Sequence, residues 1–225
     1  MTNAPLQLSI KRTSLGTSVY ETLLEAMLAG RLPPGMELNS VALSQQLEVS
    51  RTPVKEALRL LAHDGLIEQV NNHKARVVRF TRQDVVEIYE VRQSLEAAAA
   101  EKAARLMDDA TLGQLRAEAN LVQRGQNKLG WENQALEFDL HFHDTLTSCC
   151  GNRRLQQEIA RYRRLVRGFC RIVGRREILQ QAFAEHLEIL AAVESRKPAA
   201  ARKAMTAHIH ARLQTVLLEM FASKS

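Results

Sequence analysis

Apolar residues recur along this chain at helical spacing, interrupted once by a short stretch of strand-like runs. Val19, Leu23, Leu24, Met27 and Leu28 fall on one side of a helix over residues 15–29, which Gly30 closes. Leu32-Pro33-Pro34-Gly35 is a turn, and Met36-Glu37-Leu38 suits a short strand. Ser40 then caps a short helix marked by Val41, Leu43 and Leu47. After a tight break at Glu48-Val49, a second helix begins with Ser50 as N-cap and Pro53 in its first turn, where proline is tolerated. Val54, Ala57, Leu58 and Leu61 form its buried stripe, and Gly65 ends it. Residues 66–70 and 76–80 are β-prone runs around Asn71-Asn72-His73-Lys74, a hairpin.

From Thr81 onward there is no strand signal. Helices are predicted at about 82–107, 110–128, 131–150, 152–173, 176–195 and 198–222, where Thr81, Asp109, Asn152 and Pro198 suit caps or first turns. Gly130, Gly151 and Gly174 separate neighbours. The expected fold is mainly α: a loose arm at 1–13, a winged helix-turn-helix at 14–80, and a six-helix all-α bundle at 81–225. Short connections imply mostly antiparallel packing between sequential helices.

A helix-turn-helix offers the start of its second helix to the major groove of DNA. Arg51, Thr52, Lys55 and Arg59 lie near that start and off the buried stripe, and His73, Lys74 and Arg76 lie on the hairpin within reach of phosphates or the minor groove. Charge alone does not point there. The chain carries a formal +6, but residues 1–80 hold 9 basic against 7 acidic side chains, a net of only +2. Placement of the cations, rather than their number, argues for a nucleic-acid partner. Three cysteines with no disulfide spacing fit a reducing cytoplasm. No apolar run approaches the ~20 residues of a membrane span, and residues 1–13 lack an apolar signal region.

The second half holds a ligand-shaped pattern. Asp139 and His143 are four residues apart and project within ~40° of each other, one turn apart. Such a pair can share a divalent cation, although a surface Asp–His pair is the commoner reason for the spacing. His186 and His208 each sit at the edge of an apolar stripe on a later helix, where a single histidine is usually a satisfied core residue. The helix at 152–173 carries seven arginines against one acid, Glu158, and Arg163 and Arg167 flank its apolar stripe at i and i+4. His141 and His210 lie on other faces and are set aside.

The stretch VSRTPVKEALRLLAHDGLIE resembles the winged helix-turn-helix of the GntR superfamily of bacterial transcription regulators, a similarity running from about Val19 to Phe80. The resemblance implies that Ser50, Arg51, Thr52 and Lys55 contact phosphates and base edges. Two positions depart from the family: Glu48 and, aligned at the wing tip, Lys74 stand where it usually has glycine. FHDT after Asp139, then EHLEILAAVE and AAARKAMTAHI, are similar to the C-terminal ligand-binding domain of the FadR-like branch, and the six-helix count suits its VanR-like subgroup. That resemblance implies a divalent metal ion (Zn, Ni or Mn) held by Asp139, His143, His186 and His208. It also implies that Arg92 faces the effector pocket; Arg163 and Arg167, from their place beside the apolar stripe, are further candidates for holding a carboxylate.

The expected function is a homodimeric, cytoplasmic, metabolite-responsive regulator, in the commonest family mode a repressor, acting on a pseudo-palindromic operator through a small carboxylate effector. A metal-dependent hydrolase needs a general base beside an open metal position. Glu185 and Asp144 neighbour the ligands in sequence but point about 100° away from them on a helix. A structural DNA-binding protein has no use for four metal-type ligands.

Overall fold

The computed structural model describes residues 15–71, 74–79, 81–172 and 175–221, the side chains of Leu28 and of residues 167–172 excepted. The chain divides into two compact units, with the boundary between Arg79 and Phe80.

In the first unit, α1 (Leu15–Leu28) packs against α3 (Arg51–His63) through buried Val19, Tyr20, Leu23 and Leu24. The Tyr20 hydroxyl donates to Asp64 Oδ2 at 2.7 Å, a buried bond that ties the two helices together beyond their apolar faces. Pro53, Val54, Ala57, Leu58 and Leu61 are the buried face of α3. Between these helices run β1 (Glu37–Asn39) and α2 (Ser40–Gln46). The N-cap of α2 is Asn39 rather than Ser40: the Asn39 side chain accepts from Val41 N at 2.8 Å, whereas Ser40 is buried as the first helical residue. Asparagine reaches the exposed amides of the first turn as well as serine does, and one residue decides which of two good caps is used.

Glu48, in the turn between α2 and α3, has φ +53°. This left-handed conformation is natural for glycine and strained for other residues, so the turn keeps its backbone geometry without its usual residue. Ser50 is the N-cap of α3 by position, but its side chain makes no capping bond.

The wing is a three-stranded antiparallel sheet in the order β1-β3-β2, with β2 at Ile67–Gln69 and β3 at Lys74–Val77. Strand β3 begins two residues earlier than expected because β1 pairs along it, placing Asn39 opposite Lys74 and Glu37 opposite Arg76. Lys74 therefore closes the turn instead of forming its tip, and its carbonyl accepts from Val70 N at 2.9 Å and Asn71 N at 3.0 Å.

The second unit contains α4 (Arg82–Leu106), α5 (Asp109–Arg124), α6 (Trp131–Ser148), α7 (Arg153–Ile172), α8 (Arg176–Glu194) and α9 (Pro198–Phe221). Thr81 and Asp84 cap α4 reciprocally: Thr81 N donates to Asp84 Oδ2 at 2.7 Å, and Asp84 N donates to Thr81 Oγ1 at 3.2 Å. Helix α5 is capped by Asp108, and Asp109 lies in its first turn. Sequential neighbours do pack, but the most extensive contact joins the first helix of this unit to the last, α4 to α9. Ala97, Ala100, Ala103 and Ala104 on α4 are fully buried in the core of this unit. Trp131, Phe138, Phe142 and Phe183 fill the space between α6 and α8, with Trp131 Nε1 donating to Val122 O at 2.9 Å.

Candidate metal centre

Three helices converge on one point. Helix α6 brings Asp139 and His143 on one face, α8 brings His186, and α9 brings His208. One ligand atom from each lies within 4.8 Å of all the others. His143 Nε2 is 3.2 Å from His186 Nε2, and Asp139 Oδ1 is 3.4 Å from His186 Nε2 and 3.8 Å from His143 Nε2. With metal–ligand bonds of about 2.1 Å, neighbouring ligand atoms stand roughly 3.0 to 3.4 Å apart in octahedral or tetrahedral sites, so the spacing suits a divalent ion.

The tautomers point the same way. His143 Nδ1 is bonded to Glu96, and His208 Nδ1 lies 2.8 Å from Glu185 Oε2. A carboxylate that accepts from Nδ1–H keeps the ring proton on that nitrogen and leaves the Nε2 lone pair facing the centre. His208 Nε2 is buried and has no hydrogen-bond partner among the described residues. A buried acceptor left unpaired is costly in a purely structural core and is one that a bound cation would satisfy. Phe142 packs on the His186 ring at 4.7 Å between centroids, which holds its orientation.

The electrostatics keep the ligands ready for a metal. Burial, helped by nearby cationic groups, lowers His186 and His208 to about 3, and burial and Arg163 hold His143 well below its ordinary value. Burial opposes ionisation of Asp139, but the Arg163 guanidinium outweighs it and holds the carboxyl below its usual range. Neutral imidazoles and an ionised carboxylate are the forms that bind a metal.

A cavity of about 410 Å³ opens beside this cluster, bounded by Arg92, Asn133, Asp139, Arg163, His208 and Arg212 among others. Its three arginines are 3%, 8% and 8% exposed, and each is held by an acid. Arg92 Nε donates to Glu96 Oε1 at 2.5 Å, Arg163 Nη2 to Asp139 Oδ2 at 3.3 Å, and Arg212 Nη2 to Glu185 Oε1 at 3.1 Å. Glu96 meets Arg92, His143 and, at 3.8 Å, Arg163. The structure thus brings Arg92 and Arg163 to the cavity; the Arg167 side chain lies outside the described residues.

Glu96 and Arg212 do not stand out in the sequence, and Glu185 does so only as an unconvincing general base. Arg92–Glu96 and His208–Arg212 are both i,i+4 pairs, a signal available in the sequence. The partnership of Glu96 with His143, 47 residues away, is not. Glu185 turns to His208 and Arg212 and so does not face the centre as a base.

In the first unit, Ser50, Arg51, Thr52, Lys55 and Arg59 are all exposed at the start and outer face of α3. Lys74 and Arg76 are engaged on the sheet: Lys74 Nζ is 3.1 Å from Glu37 Oε2, and Arg76 lies 3.7 Å from Glu37 and 3.5 Å from Glu68. Lys74, with Arg76, holds the Glu37 carboxyl below its ordinary range. His73 lies outside the described residues.

A winged helix followed by a helical unit with three buried histidines meeting a half-buried aspartate describes a class of DNA-binding regulator with a ligand-sensing domain. Residues 15–77 match the gntR family of bacterial regulatory proteins, and residues 87–211 match the FCD domain family. The chain belongs to the GntR family, with the FCD architecture of its FadR-like branch. An uncharacterized HTH-type transcriptional regulator, YdhC of Bacillus subtilis, is 27% identical over 205 residues, covering 89% of this chain and 90% of the relative. The HTH-type transcriptional repressor RspR of Escherichia coli is 28% identical over 202 residues, covering 85% and 84%. Among solved structures, E. coli McbR/YncC shares the fold with a TM-score of 0.75 at 20% identity, covering 92% of this chain and 99% of that one. These relatives are transcription regulators, not enzymes. No helix among the described residues is long and apolar enough to cross a membrane.

Proposed function

We propose that this protein is a cytoplasmic repressor that binds a pseudo-palindromic operator as a homodimer and is released by a small carboxylate held at a divalent metal in its helical unit. The reading rests above all on the convergence of Asp139, His143, His186 and His208 beside three buried arginines. A bound divalent ion supplies a concentrated positive charge with coordination positions beyond the four protein ligands. Arg92, Arg163 and Arg212 are matched in number by Glu96, Asp139 and Glu185, so the ion's own charge leaves an excess that an anion neutralises. The arginines orient that anion, and Glu96 and Glu185 orient the imidazoles. The six helices of the unit support a place in the VanR-like subgroup.

At the DNA, Arg51 reads a base edge from the exposed start of α3. Ser50, Thr52, Lys55 and Arg59 bind phosphates or neighbouring edges, and His73, Lys74 and Arg76 serve the wing. A two-fold dimer presents two such helices to two half-sites. The effector changes operator affinity only as far as it binds the two arrangements of the dimer differently, typically by ~1–3 kcal/mol or about 5–150-fold.

Metal analysis of purified full-length protein, followed by operator-binding titrations with candidate acids, tests the reading. The expectation is one tightly held divalent ion per chain and a carboxylate that weakens operator binding within that range. Turnover of a substrate with no DNA binding would sink the regulator in favour of a hydrolase.

A further inference from the structure

The arginine-lined cavity adjoins a second one of different character. The smaller space, about 60 Å³, is bounded by Ile178, Leu179, Ala182 and Phe183 of α8 and Val216 of α9. Leu136, Asp139 and Arg212 border both cavities, so the charged groups stand at the junction and aliphatic and aromatic carbon lies beyond. Arg212 is anchored on its far side, with Nη1 donating to Ile178 O at 3.1 Å and Nη2 to Glu185 Oε1 at 3.1 Å. Its Nε is buried with no hydrogen-bond partner among the described residues. A buried guanidinium fixed at one end with a free donor is built to receive an acceptor.

The annex beyond it makes a poor home for water, which needs two to four polar partners, and small apolar cavities stay dry. Tyr89 and Thr215 also border the annex, but the Thr215 hydroxyl is turned to Ala211 O at 2.9 Å, so a polyhydroxylated acid would strip several hydroxyls of water there for few replacement bonds. An alkyl group loses nothing on entry. By volume, the annex, at about 60 Å³, is less than half of the ~150 Å³ apolar cavity that admits benzene, so it takes a group of roughly two or three carbons.

We propose that the effector is a small amphipathic carboxylate: its carboxylate lies among Arg92, Arg163 and Arg212, and its short alkyl end enters the annex between Phe183 and Val216. This rests on the reading of the arginine-lined cavity as a carboxylate site, and it adds the ligand's second half. It sets the effector apart from sugar acids, whose hydroxyls the annex rejects.

The test is calorimetric titration of metal-loaded, full-length protein with the straight-chain acids from acetate to octanoate, alongside 3,4-dihydroxybutanoate. Affinity should rise on the order of fourfold per methylene up to about hexanoate and then level off, and butanoate should outbind its dihydroxy analogue at least tenfold. Ala182→Leu fills the annex and should abolish the gain with chain length while leaving acetate unchanged. Val216→Ala enlarges it and should move the plateau to a longer acid; thermal melts identify a variant that fails to fold, and the other then carries the test. Acetate binding with no gain along the series, a dihydroxy acid that binds as well as butanoate, or a folded variant with the wild-type chain-length profile would overturn the annex while leaving the carboxylate site standing. Failure of every acid, acetate included, would overturn both.

Discussion

The cations of the two units live in opposite surroundings. On α3, Arg51, Lys55 and Arg59 project into water. In the helical unit, Arg92, Arg163 and Arg212 are all but removed from it, and each is held by a carboxylate. A solvated cation is cheap to keep and adapts to a polyanion by releasing counterions, so it suits a long, uniformly charged partner. A buried guanidinium is tolerated only when paired, and pairing fixes its position, so it suits one small anion in one orientation. The difference is between charge used for attraction and charge used for shape.

Ionic strength should separate the two most strongly. An operator complex that neutralises six to ten phosphates should weaken by about 10³–10⁵ between 50 and 200 mM salt. Carboxylate binding in the helical unit should change less than about threefold, because buried charges are weakly screened. Parallel titrations at both salt concentrations check this, and equal slopes would erase the contrast.

Asp139→Ala or His208→Ala should lower metal affinity by at least ~100-fold, since each removes a direct ligand from a four-ligand set. Metal content after dialysis is the measurement, with a winged helix that stays folded. Unchanged content in either variant would refute the site. On the exposed side, Arg51→Ala should weaken operator binding about 10–100-fold and relax preference at one base position. An equal loss on every DNA sequence would recast Arg51 as a phosphate contact.

The smallest effect should come from Glu185→Gln, which keeps an acceptor near His208 Nδ1 but removes its charge. Metal affinity should fall about tenfold, towards the lower end for an outer-shell carboxylate. Affinity at the wild-type level would mean that Glu185 serves Arg212 alone.

Much of this was legible along the chain, because the signals are local. The apolar stripe of α3 and the Thr81 cap of α4 are read from residues within one or two turns of each other. Asp139 and His143 are paired by the pitch of a single helix. Local rules blur where neighbours compete, as when Asn39 caps α2 ahead of Ser40. They also miss what a partner strand imposes. Lys74 became the first residue of β3 because β1, more than thirty residues earlier, pairs with it.

By itself, then, the sequence determined the elements and the donor types: one helix with exposed cations at its start, and histidines edging apolar stripes on separate helices. Only the tertiary structure decided that His186 and His208 meet Asp139 and His143 at one point, that Glu96 and Glu185 turn the rings, and that Arg212 stands between a charged cavity and an apolar one. The physical reason is range. Helical periodicity acts over four residues, whereas the packing of α6, α8 and α9 on one another and on α4 joins residues tens of positions apart.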